Sequence, residues 1–147
     1  MIEYKLPINA ELFIGDEYIS FYYKFKNMSF SYYNNNSFVV FQIIDDHENI
    51  PIVIRKIDNI FSFMKILKHC ITYNINDEFR YKYSGNKCIC MIKIVDKERN
   101  KIKFNYDNDD ICIINYLYIN KNDKNRFIEI INSIISILNI SFLKKYK

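Results

Sequence analysis

The residues able to do acid–base, nucleophilic or metal chemistry are few and poorly grouped. There are two histidines and four cysteines in 147 residues. His47 falls in the acidic run Asp45-Asp46-His47-Glu48-Asn49, which reads as a turn, and His69 falls at the end of a helical segment. His69 and Cys70 are chain neighbours, so their side chains leave a helix about 100° apart and make a poor nucleophile–base pair. Neither a nucleophile elbow, a phosphate-binding loop, a dinucleotide fingerprint nor a zinc-protease string occurs. No catalytic residue is therefore assigned.

Cys88 and Cys90 sit two apart on a predicted strand and share a face, with Cys112 on another. Structural zinc sites space their cysteines two to four apart at a turn, where the backbone can wrap the ion. Here Ile92 and Ile94 continue the cysteine face, which reads as core. Asp107 to Asp110 has acidic spacing like a calcium loop. It lacks the sixth-position glycine, and Tyr118 stands where the bidentate glutamate belongs. The expectation is no metal and no cofactor.

Recognition chemistry is better supplied. Thirteen tyrosines and twelve phenylalanines are present, and many crowd residues 18–33. In the strand around Phe21–Phe25, Phe21, Tyr23 and Phe25 face the core, leaving Tyr22 and Lys24 outside. Tyr22, Lys24, Tyr32 and Tyr33 are candidates for a tyrosine-rich partner surface, because aromatic rings bury large area at low entropic cost. Asn132 and Ser136 join them from a small, almost uncharged helix stripe that also holds Glu129, Ser133 and Asn139. A stripe with so little charge suits an interior wall or another protein better than bulk water.

Charge offers a second reading. Residues 1–120 balance fifteen Lys and Arg against fifteen Asp and Glu, so the net +4 lies wholly in residues 121–147. Lys121, Lys124, Arg126, Lys144, Lys145 and Lys147 would be the phosphate contacts of a single-stranded nucleic-acid binder stacking bases on its aromatic face. A helix between Arg126 and Lys144 holds the two basic groups about 24 Å apart, too far for one phosphate site. The preferred expectation is thus a non-catalytic protein-binding domain, such as a small inhibitor, immunity or accessory protein. Its partner is another protein or a second copy, with nucleic acid the alternative.

These residues need a scaffold, and composition indicates one. Half the residues are apolar, with two glycines and two prolines, which excludes a disordered chain. Twenty-nine isoleucines against six leucines, and nineteen asparagines, reflect an AT-rich genome more than a function. Residues 1–7 lack a basic segment followed by an apolar run. The most apolar stretch, Phe127–Leu143, is interrupted by Glu129 and several amides and hydroxyls. No membrane association and a cytoplasmic location with reduced thiols are expected.

Strands are predicted at 21–25, 28–33, 37–44, 52–54, 79–83, 87–95, 102–106 and 111–119. Pro51 cannot donate to a ladder, so its strand begins there or lies at an edge. Ile60, Met64, Leu67 and Ile71 mark a helix over about 58–70 with Asp58 as N-cap, and Phe127, Ile131, Ile134 and Leu138 mark a second over about 123–139. Residues 33–54 align with 83–104 as a weak internal repeat. The strands-then-helix order, run twice, resembles that of the Whirly and PUR families of single-strand binders, with no motif residue to carry across. The expected fold is a single α+β domain over 1–147. It has one curved antiparallel sheet of six to eight strands, two amphipathic helices on one face, and a basic tail at 141–147.

Overall fold

Alternation of period two and helical runs of period 3.6 segregate along the chain as expected for an α+β fold. In the computed structural model, which describes residues 6–47, 51–96 and 112–145, the strands are β1 (Glu11–Ile14), β2 (Tyr18–Phe25), β3 (Met28–Asn35), β4 (Val39–Asp45) and β5 (Ile52–Ile54). Helix α1 (Ile57–Tyr73) follows, then β6 (Asp77–Tyr83), β7 (Asn86–Val95) and β8 (Cys112–Asn120). A single 3₁₀ turn over Lys121–Asp123 leads into α2 (Lys124–Lys145). The order strands, helix, strands, helix is that of an α+β protein. The predicted strand at 102–106 and the acidic run at 107–110 lie outside the described residues, as does Lys147.

The described strands form two sheets rather than one: β1–β2–β3–β4–β5 and β6–β7–β8. The first is antiparallel throughout, with β2 and β3 in register from Tyr18↔Asn35 to Phe25↔Met28. The break falls at β5, a three-residue strand that Pro51 prevents from starting earlier. Tyr81 spans it with a side chain: its hydroxyl oxygen accepts from Asn115 Nδ2 at 3.3 Å and bonds the Val53 backbone. Within the second sheet β7 and β8 run parallel, from Lys87↔Cys112 to Val95↔Asn120. The antiparallel expectation rested on short turns. Sixteen residues separate Val95 from Cys112, so no tight turn forces the strands to reverse.

Both helices cover the inner faces of the sheets. Ile60, Phe63, Met64, Leu67, Cys70 and Ile71 of α1 are buried, as are Phe127, Ile131, Ile134 and Leu138 of α2. Phe63 lies 6.3 Å from the Phe41 ring of β4 and 5.3 Å from the Phe79 ring of β6, so α1 joins the two sheets through one core. Phe127 meets Phe25 and Phe30 edge-on and seats α2 on β2 and β3. The N-cap of α1 is Lys56, without a side-chain cap bond, and Asp58 sits two positions on, in the first turn. There its carboxylate meets the positive end of the helix dipole instead of capping. Asn74 ends α1 in the left-handed conformation, and Ile75 N–H donates to Cys70 O.

The two segments of the weak repeat, in their described residues, each open on the end of one strand and a turn into the next. β3 and β4 are joined through Asn36–Phe38, whereas β6 and β7 are joined by Ser84-Gly85 with both residues at positive φ.

Candidate functional site

Strand alternation decides which aromatics reach the surface. On the first sheet Phe21, Phe30, Tyr32 and Phe41 point inward and are at most 2% exposed. On the outer face Phe13 (48% exposed), Tyr18 (38%) and the half-buried Tyr33 stand on successive strands, and Phe38 (48%) follows in the turn. They form a continuous row: Phe13–Tyr18 at 4.7 Å, Tyr18–Tyr33 at 5.5 Å and Tyr33–Phe38 at 5.3 Å between ring centroids, with interplanar angles of 27°, 25° and 31°. The register explains the contacts. Phe13 pairs with Ser20 and Tyr18 with Asn35, so each ring meets its neighbour on the diagonal, within reach of large side chains.

Two small residues hold the ends of the row. A Cβ on Gly15 would stand 2.5 Å from Phe13 Cε1, so a glycine is what lets this ring lie across the β1–β2 turn. Asn35 Oδ1 accepts from the backbone N–H of Ser37 (2.8 Å) and Phe38 (2.9 Å), and Asn35 N–H donates to Phe38 O. This Asx turn fixes Phe38 at the end of the row. Behind the two turns opens a cleft of about 510 Å³, bounded by Asp16, Glu17, Tyr18, Phe38, Arg55 and Ser141. The Arg55 guanidinium lies 5.3 Å from the centre of the Tyr83 ring, a cation–π contact.

The sequence-derived candidates divide between places. Tyr22 is 40% exposed and shares a 3.3 Å hydrogen bond with Ser29 Oγ, and Lys24 is exposed with Nζ 4.0 Å from Asp46. Tyr22, Lys24 and Tyr33 do share the outer face. Tyr32 does not: at 2% exposure it belongs to the core, because it lies one strand position from Tyr33 and so points the other way. Its hydroxyl donates to Ser141 Oγ and accepts from Asn34 Nδ2, both at 2.9 Å, and burial raises its pKa against these bonds.

Asn132 and Ser136 are on α2, behind the sheet, and form no site with the outer tyrosines. Asn132 Oδ1 accepts from Lys68 Nζ of α1 at 3.2 Å, and Ser136 Oγ donates to Asn132 O. Ser133 of the same stripe is wholly buried and donates to Glu129 O. The basic residues are also scattered. Lys121 pairs with Asp96 (3.0 Å), Lys124 Nζ donates to Thr72 O (3.3 Å) and Arg126 pairs with Glu129 (3.1 Å). Lys144 and Lys145 close the far end of the same helix.

The reactive side chains stay apart. His69 is exposed and lies 4.8 Å from the Tyr73 ring, while Cys70 beside it is buried. His47 Nε2 is 2.8 Å from Asn27 Nδ2. Burial pushes the Cys70 thiol up to about 11, with Asp77 adding to it, and pushes Cys90 up further. Among the described residues no three His, Cys, Asp or Glu side chains converge on a point that a metal could occupy. Nor is any helix among them long and apolar enough to cross a membrane.

The row and cleft were missed as a unit in the sequence because Phe13 and Tyr18 stand outside the predicted strands, and Phe38, expected within the strand at 37–44, lies in the turn before β4. An aromatic on each side of the Tyr18–Tyr33 pair, one of them two residues before a glycine, was the available signal. No family model matches the chain, and neither a curated protein nor a solved structure shows similarity to it.

Proposed function

We propose that this chain is a non-catalytic protein-binding domain, of the kind used as a small inhibitor, immunity or accessory protein. Its docking surface is the row Phe13–Tyr18–Tyr33–Phe38, extended by Tyr22 and Lys24. The observation that carries this reading is a row of four rings, each packed on the next, on one face, with Phe13, Tyr18 and Phe38 exposed and Tyr33 half-buried between them. Surface rings held against one another are already ordered, so a partner that covers them loses little further side-chain entropy. Large aromatics are also the residues that anchor protein interfaces.

The same geometry favours protein over nucleic acid as the partner. A single strand binds by laying bases on open ring faces. Here the faces are turned toward neighbouring rings, and inserting a base would break a stack. Asp16 and Glu17 at the cleft would also repel phosphates.

The test is affinity capture from the native host with the purified chain as bait, beside a Tyr18→Ala/Phe38→Ala variant, each with and without nuclease. The expected result is a protein that survives nuclease and binds the variant at least about thirtyfold more weakly, the effect of losing a hot spot of about 2 kcal/mol. Equal capture by the variant, or bound material that nuclease removes, would overturn the proposal.

A further inference from the structure

Among the described residues the outer edge of the first sheet is open. Within them β1 pairs only with β2, so one side of Glu11-Leu12-Phe13-Ile14 has no strand beside it. Edges are usually blunted by short length, charge, proline or a bulge; this one is four residues long with a single charge, Glu11, and carries no lysine or proline.

The free main-chain groups can be identified. Gly15 N–H donates to Tyr18 O at 3.0 Å, and Gly15 and Tyr18 continue the β1–β2 register. Bonded pairs alternate along an antiparallel ladder. Glu11 and Phe13 therefore turn their N–H and C=O toward β2, and Leu12 and Ile14 turn theirs outward.

We propose that this edge pairs with the β1 edge of a second copy, antiparallel about a two-fold axis at Phe13. In this register Leu12 of one copy exchanges both main-chain bonds with Ile14 of the other, which satisfies the outward groups of both copies. Phe13 faces Phe13 as a non-bonded pair, the closer type, on the outer face. Leu12 and Ile14 meet as apolar neighbours on the inner face. Glu11 falls opposite Gly15, so no like charges are placed directly across the seam. A slip by two residues puts Phe13 opposite Glu11 or Gly15 and loses the ring-to-ring pair, and a slip by one puts outer residues against inner ones.

The product is a continuous sheet through two copies in which the two aromatic rows join end to end at Phe13. The seam is short, so the dimer is a reversible one. This inference goes beyond the partner-binding proposal and is tested on the purified chain alone, so either can fail without the other.

Sedimentation equilibrium from micromolar to millimolar concentration should show the mass rising from that of one chain toward two. Glu11, Asp16 and Glu17 of both copies flank the seam, so the measurement belongs at raised ionic strength, which screens them. Phe13→Lys, at an exposed position, should weaken association by about tenfold or more while leaving the far-UV circular dichroism unchanged. Phe13→Cys supplies an independent reading: a non-bonded pair holds its Cα atoms about 4.5 Å apart, within the span of a disulfide. Mild oxidation should cross-link Phe13→Cys well above both the unsubstituted chain and Glu11→Cys. A single-chain mass at every concentration would overturn the proposal. So would undiminished dimer in Phe13→Lys, or Glu11→Cys cross-linking as fast as Phe13→Cys.

Discussion

At the scale of single residues, burial sets the chemistry of the thiols. Cys70, Cys88 and Cys90 are at most 3% exposed. Desolvation disfavours the thiolate, and for Cys70 the Asp77 carboxylate disfavours it further. A thiol whose pKa is raised in the fold keeps its proton after the unfolded chain has lost it. Its stabilising contribution is therefore complete below the ordinary value of 9.0 and is lost as pH rises through about 11. The urea midpoint should hold steady near neutrality and fall across this alkaline window. Cys70→Val, which keeps a buried side chain without the titrating group, should show a smaller fall. A midpoint flat through the window in the parent chain would count against protonated, buried thiols. The cysteine face with Ile92 was legible from spacing alone. Tyr32 was not, since adjacent tyrosines in a strand are equivalent until a covering layer selects the inner face.

At the scale of elements, the apolar periodicity of both helices carried most of the fold. The eight residues marked as their core face, Ile60, Met64, Leu67, Ile71, Phe127, Ile131, Ile134 and Leu138, are at most 3% exposed. Leu67→Ala or Leu138→Ala should each destabilise the protein by about 2–5 kcal/mol in denaturant titration, the cost of lost transfer energy plus a cavity. A loss below about 1 kcal/mol would place the leucine outside a tight core. Helix ends were less legible. α1 runs on to Tyr73 and α2 to Lys145, both beyond their expected ends, since helix termini are the least sharply encoded part of the pattern. The small polar stripe of α2 turned out divided, with Ser133 buried and Asn132 bonded to α1, while Ser136 remains exposed.

At the scale of the whole molecule, the placement of charge bears on partner choice. Lys121, Lys124 and Arg126 gather where α2 begins, each with a partner, and Lys144 and Lys145 lie at its other end. Each phosphate contact on a single strand contributes about −0.7 to the slope of log K against log salt, so four acting together would give about −2.8. Binding of a labelled oligonucleotide at physiological salt should be weak, with a slope well short of that value. Sub-micromolar binding, lost when the six basic residues become glutamine, would shift the reading to nucleic acid. The aromatic row lies on the sheet face opposite α2, and α2 reaches it at the cleft, where Ser141 lines the same cavity as Tyr18 and Phe38.

By itself the sequence determined the α+β class, the order of elements, the core faces of both helices and the aromatic richness of residues 18–33. Those follow from local rules: period two, period 3.6, and the punctuation of Asn, Asp, Pro and Gly. Only the tertiary structure decided the division into two sheets and the parallel pairing of β7 with β8. Both depend on which strand edges meet after the chain returns through a helix or a long connection, and no local preference encodes that. The aromatic row belongs with them. Phe13, Tyr18, Tyr33 and Phe38 come together because diagonal contacts across three strands and a turn form only once the register is set.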